Sequence, residues 1–113
     1  MGLLNRLRWW RQWKADIYRQ STADVPDLIR RRHAVIVGST TRDKWLVFEC
    51  PCRRGHQVMV NLDPGNFPRW RLISRIPLTL TPSIDERSHV GHCHYVVGNG
   101  KIHWIERTDH DEP

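Results

Sequence analysis

The segment CPCRRGH at positions 50–56 constrains the fold more than any other part of the chain. It stands between two apolar, β-branched runs at 44–49 and 57–62, which predict strands, so the segment is the loop of a predicted β-hairpin. Such a loop holds two thiolates on one side of a metal ion, because Pro51 stiffens the backbone and Gly55 permits the turn back. The chain has three cysteines, and an odd number fits a disulfide framework poorly. In a reducing compartment, closely spaced cysteines more often bind a metal ion than form a disulfide.

The other half of the predicted site is the cluster His92-Cys93-His94. A structural zinc ion takes four Cys or His ligands, so two more are needed. Side chains alternate along a strand, so Cys93 or the two histidines can face the ion, but not all three in extended backbone. Two sets stay open. One is Cys50, Cys52, His56 and Cys93, and the other is Cys50, Cys52 and two of His92, Cys93 and His94. A Rieske iron–sulfur centre is the alternative, but the C-x-H half that it needs upstream is missing.

The fold class expected for residues 33–107 is a small, mostly β domain, an antiparallel sheet stapled by one structural zinc ion. Besides the two strands beside the loop, strands are predicted at 33–38, 69–73, 78–81, 94–97 and 101–106. The last two flank Gly98-Asn99-Gly100, which is a hairpin-turn sequence. Residues 108–113 form an acidic tail.

Residues 1–22 predict a basic arm that contains an amphipathic helix over 3–20. The chain carries a net charge of +6, and residues 1–32 supply +5 of it. Basic and aromatic side chains of the arm are expected to bind a partner, namely Arg8, Trp9, Arg11 and Trp13, and so are Arg69, Trp70 and Arg71 on a later strand. Docking on protein is preferred to membrane binding. No run approaches the about 18 apolar residues of a membrane span, and a cytoplasmic location is expected.

The combined motifs resemble a family of small bacterial proteins of unknown function. The family pattern is a C-P-C-x-C-G-H-like loop, an L-N-L strand, a P-R-W segment, a T-L-x-P-S-I stretch and a final S-H-F-type strand followed by N-G and W. The matching segments here are CPCRRGHQVMVNL at 50–62, PRW at 68–70, LTLTPSI at 78–84, HY at 94–95, NG at 99–100 and Trp104. Two cysteines of the pattern fall at Arg54 and Gly91, so the resemblance implies that His56 and Cys93 replace them and that His94 is the family's histidine.

What the resemblance implies about function is a zinc-binding accessory or adaptor module encoded near bacterial ubiquitin-like conjugation genes. Its expected partners are a ubiquitin-like protein or its E1 and E2 enzymes. The residues show no nucleophile–base pair, P-loop or dinucleotide fingerprint, so a non-catalytic role is preferred and enzyme status stays open. The alternatives are a zinc-dependent hydrolase, and a protein that binds single-stranded nucleic acid through its arginines and Trp70.

Overall fold

The computed structural model describes residues 11–89 and 91–109. The protein is mostly β, as the sequence predicts. The strands are β1 (Lys14–Arg19), β2 (His33–Gly38), β3 (Asp43–Glu49), β4 (Gln57–Asn61), β5 (Arg71–Arg75), β6 (Leu78–Thr81), β7 (Ile84–Ser88), β8 (Gly91–Gly98) and β9 (Lys101–Asp109). A 3-10 helix spans Thr22–Asp24. Within the described residues, no helix has the length and apolar content that crossing a membrane requires.

The strands form three small sheets rather than the single antiparallel sheet expected. One sheet has the order β1-β2-β3-β4, another is the hairpin β5-β6, and the third has the order β7-β8-β9. All pairs are antiparallel except β1 with β2, which is parallel. The loop at 50–56 joins β3 to β4 as a hairpin, as predicted.

The core explains why β2 and β3 read as continuous apolar runs. Ile36, Leu46 and Phe48 face the main core, which they share with buried residues of β6 and β8. Val35 and Val47 face the other way and pack with Ile29 in a second cluster. A strand that is covered on both faces needs apolar residues at every position, so its sequence loses the alternation of a half-exposed strand.

The helix predicted over 3–20 is wrong for residues 14–19. Residues 14–19 form strand β1, which pairs with β2, and residues 1–10 lie outside the described residues. The Trp13 side chain is 7% exposed and packs edge-on against Phe48, with ring centroids 5.8 Å apart. Pairing along the free edge of β2 therefore outweighs the helical spacing of the apolar residues.

Candidate functional site

The loop between β3 and β4 gathers three potential metal ligands. The ligand atoms of Cys50, Cys52 and His56 all lie within 4.8 Å of one another, and Cys52 Sγ is 3.8 Å from His56 Nδ1. The Cys50 amide donates to the His56 carbonyl at 2.9 Å and closes the loop, while Gly55 takes a φ of 85° that favours glycine. A sulfur and a nitrogen bound to one tetrahedral zinc ion lie about 3.6 Å apart, so this group has dimensions suited to a metal ion.

Strand β8 brings a third thiol to the same place. Burial alternates along β8, with Cys93 and Tyr95 facing inward and His92 and His94 facing the opposite side of the sheet. Cys93 interacts with both Cys50 and Cys52. The irregular backbone that would turn His94 towards the thiols is not observed, because β8 is extended from Gly91 onward. The structure thus brings together Cys50, Cys52, Cys93 and His56, and it does not bring His92 or His94 to them.

Polar groups around these four residues match what metal-bound ligands require. His56 Nε2 lies 2.9 Å from Glu86 Oε1, although not in hydrogen-bonding geometry, and metal-bound histidines commonly place their second nitrogen against a carboxylate. The Tyr95 hydroxyl is buried near Cys50 and has no hydrogen-bond partner of good geometry among the described residues. A metal-bound thiolate at Cys50 would supply an acceptor for it. Arg107 Nη2 donates to the Cys52 carbonyl at 2.8 Å and ties β9 to the loop.

Without a bound cation, burial keeps the Cys50 and Cys93 thiols protonated, because it raises the pKa of each. Burial raises the pKa of the Cys50 thiol, and the nearby Cys52 and Cys93 sulfurs raise it further. Burial likewise raises the pKa of Cys93. A divalent cation reverses this tendency, because it stabilises the thiolate form directly. The described residues could therefore hold a metal ion with Cys and His ligands.

A second constellation lies on the other face of β8. Ser83, which immediately precedes β7, is hydrogen-bonded to His94, with Oγ and Nε2 2.9 Å apart. Both side chains are partly buried. A nucleophilic serine and its general base are placed at a similar distance from each other in serine hydrolases. Cys93 and His94 are neighbours in sequence, yet alternation along the strand assigns them to different sites.

Carboxylates flank His94 on both neighbouring strands. Asp85 of β7 and Glu106 of β9 are its cross-strand partners. His92, two positions away on the same face, contacts Asp85 through Nε2 and has Nδ1 3.7 Å from Glu106. The His92 and His94 rings are stacked with centroids 6.4 Å apart. Hydrogen bonding from His92 is the main cause of the lowered pKa of Asp85, which therefore stays ionised.

The PRW segment contacts the serine rather than forming an open aromatic surface. The Trp70 indole N–H donates to the Ser83 carbonyl at 3.2 Å, and its ring packs against the main core. Arg69 and Arg71 are exposed on either side of it. Among the other residues expected to bind a partner, Arg11 is exposed and Trp13 is buried, while Arg8 and Trp9 lie outside the described residues.

Sequence reasoning missed Ser83 and assigned His94 to the metal. The two residues are eleven positions apart and carry no nucleophile-elbow motif, so no local spacing marks them as a pair. The signal was present in the conjunction of a Ser-containing stretch at 78–84 with the His-aromatic pair at 94–95, since both motifs belong to the family pattern. A pair of adjacent antiparallel strands would bring them together.

Comparison with known proteins identifies the family. Residues 21–105 match the family described as "Bacterial ubiquitination-like system serine protease (BubE)". No curated protein and no solved structure matches the chain. The match spans most of the chain and agrees with the expected association with bacterial ubiquitin-like conjugation. The chain belongs to the BubE family of bacterial ubiquitination-like systems.

Proposed function

We propose that the protein is a serine peptidase of a bacterial ubiquitination-like system, with Ser83 as nucleophile and His94 as general base. The observation that carries the proposal is the hydrogen bond of 2.9 Å between Ser83 Oγ and His94 Nε2. The family description names a serine protease, and these two residues fit that chemistry.

The proposed reaction transfers an acyl group to Ser83 and then to water. As Ser83 Oγ attacks the carbonyl carbon of an amide, its proton passes to His94 Nε2, and the tetrahedral intermediate forms. The same proton then passes to the nitrogen of the leaving amine, the C–N bond breaks, and an acyl-enzyme ester remains. Water attacks this ester with His94 again as the base, which releases the acid and restores the serine hydroxyl.

The charges around His94 support its role as a base. Asp85 and Glu106 stand directly across from it on the two neighbouring strands. When His94 accepts the proton it becomes an imidazolium, and nearby carboxylates stabilise that cation. Trp70 holds the Ser83 carbonyl, so we assign it a positioning role.

The substrate class proposed from the family is a polypeptide amide at the C-terminal tail of a ubiquitin-like protein. The E1 and E2 enzymes of such a system are further candidate partners. The site lies on a sheet face formed by β7 and β8, which suits an extended chain more than a small molecule. The clustered thiols need a reducing environment to bind a metal, which favours the cytoplasm.

A fluorophosphonate probe should label Ser83 and no other serine. Such probes react with a serine whose proton a neighbouring base removes, and the bond of Ser83 to His94 provides that base. Labelling is measured by intact mass and located by peptide mapping. His94→Ala should abolish it, while His103→Ala, an exposed histidine on β9, should leave it unchanged.

Two results would contradict the assignment to Ser83. One is a native, monodisperse protein that takes up no probe, and the other is an adduct spread over several exposed serines such as Ser21 and Ser39. An adaptor needs no reactive serine, so the same experiment separates the peptidase from a non-catalytic module.

We also propose that one structural zinc ion is bound by Cys50, Cys52, His56 and Cys93. The three sulfurs are buried, and His56 faces Cys52 while its other nitrogen faces Glu86. Four protein ligands leave no open coordination position, and an open position is what catalytic zinc requires. The geometry therefore supports a metal that stabilises the fold more than it supports a zinc-dependent hydrolase. The Trp70 ring packs against the core and is therefore not free to stack on a nucleic-acid base, which disfavours a nucleic-acid function.

Protein purified without added metal should contain about one zinc ion per chain. Its affinity, measured by competition with a chromophoric chelator, should fall at least about tenfold in His56→Ala, because a nitrogen ligand is lost. The matched variant His94→Ala should keep wild-type affinity, since that ring faces the other side of β8. Loss of zinc in His94→Ala with retention in His56→Ala would overturn this ligand set, and iron with acid-labile sulfide would overturn zinc altogether.

A further inference from the structure

A cavity of about 600 Å³ lies beside the loop at 50–56, away from the Ser83–His94 pair. We call it the basic cavity. Five cationic side chains line it, with Glu49 as the single acid, and these cations are Arg11, Arg31, Arg32, Arg53 and Lys101. Among the residues that the structure describes, no carboxylate forms an ion pair with any of the five.

The fold assembles these cations from four distant parts of the chain. The Trp13 amide donates to the Gly100 carbonyl at 2.8 Å, and the Lys14 amide donates to the Arg32 carbonyl at 2.9 Å. Gly100 has a φ of 77°, and a Cβ there would stand 2.9 Å from Gln12 Cβ. This close approach brings the β8–β9 turn against the residues before β1. Backbone contacts thus place the segments that carry Arg11, Arg32 and Lys101 around one concavity.

The cations around the cavity lie near one another. The pKa of the exposed Arg31 is lowered by slight desolvation and by repulsion from Arg32 and Arg53. Like charges that face each other around a concave surface are relieved when an anion enters. The cavity therefore favours a ligand with more than one negative charge.

The walls indicate which kind of polyanion fits. Trp104 has its ring under the Arg107 guanidinium at 5.0 Å and against the Tyr95 ring at 5.3 Å, and Trp13 is buried. Single-stranded nucleic acid is held by a series of open aromatic faces along a continuous groove, whereas Trp104 is the one exposed aromatic ring among the described residues that line this cavity. A short chain with carboxylates and some apolar side chains suits arginine forks set between apolar walls.

We propose that the basic cavity binds an acidic segment of a protein partner. Trp104 pairs with Tyr95 on the inward side of the β8–β9 pair, whereas His94 is on the outward side. The cavity is thus a separate contact that can hold a partner without entering the site of hydrolysis. This inference stands whether or not Ser83 is a nucleophile, because it rests on other residues.

The test is binding of a fluorescein-labelled oligoglutamate peptide to the full chain, measured by anisotropy. Oligoglutamine and oligothymidylate of matched length are the comparison probes. The variant Arg31→Glu/Lys101→Glu reverses two exposed cations of the cavity and should weaken oligoglutamate binding at least about tenfold, since two attractions become repulsions. The control Arg19→Glu/Arg42→Glu makes the same change in net charge at exposed sites outside the cavity and should weaken binding less than about threefold.

Each other result overturns the proposal. Equal weakening by both double variants would mean that only net charge matters. If oligothymidylate binds more tightly than oligoglutamate and loses this binding in Arg31→Glu/Lys101→Glu, the cavity is a nucleic-acid site. If oligoglutamate does not bind at low salt, the cavity does not bind an acidic segment. Thermal melts check that the double variant folds. If it does not fold, the single variant Lys101→Glu takes its place, and this variant should also weaken oligoglutamate binding.

Discussion

Replacing Ser83 with alanine should lower the rate of amide hydrolysis by about 10⁴-fold or more, because the nucleophile is removed from a unit that acts together. The assay is release of a C-terminal extension from a ubiquitin-like protein of a bacterial ubiquitination-like system, followed by mass spectrometry. His94→Ala should cause a loss of similar size, and the double variant should lose little beyond either single variant. Non-additivity of this kind is the mark of a nucleophile and a base that work in one step.

The fold should survive the Ser83→Ala substitution. Trp70 donates to the backbone carbonyl of residue 83, which alanine retains, and the Ser83 hydroxyl is only partly buried. Ser39→Ala, in the exposed turn between β2 and β3, is the matched control and should keep full activity. Activity that persists in a purified Ser83→Ala protein would remove this residue from the mechanism, as would hydrolysis that is lost equally in the Ser39→Ala control.

Replacing Cys52 with alanine should abolish the cooperative thermal transition. Structural zinc sites contribute on the order of 10 kcal/mol, which is comparable with the whole stability of a small domain, about 5–15 kcal/mol. Cys52 lies close to both His56 and Cys93. Circular dichroism against temperature measures the effect, and a strong chelator should produce the same loss in the wild-type protein.

The control for Cys52→Ala is a variant that loses buried packing but keeps all the proposed metal ligands. Val60→Ala removes a buried side chain from the neighbouring strand β4 without touching a ligand, and we expect it to cost about 1–3 kcal/mol while the transition remains visible. If Cys52→Ala melts within a few degrees of Val60→Ala, the sulfur contributes only as a small apolar group. The structural role of the metal would then be rejected, and the assignment of Ser83 would be unaffected.

Local pattern was enough to predict most of the strands and half of the candidate metal-ligand group. The strands at 33–38 and 78–81 have the bounds predicted for them, and the hairpin around the CPC loop is where the flanking β-branched runs place it. These features depend on neighbours in sequence: alternation or continuity of apolar residues, turn residues, and two cysteines one residue apart. Such interactions form within a short segment, so they can be deduced without knowing where the rest of the chain lies.

Three features of the protein were determined only by the tertiary structure. Residues 14–19 have the apolar spacing of a helix, but they form a strand that pairs in parallel with the edge of β2. Cys93 and His94 are adjacent, and only the side of β8 that packs on the core determines that one faces the thiols and the other faces Ser83. The basic cavity combines Arg31, Arg53 and Lys101 from segments with no common motif. In each case the outcome depends on which surfaces meet after the sheets pack, and no window of sequence contains that information.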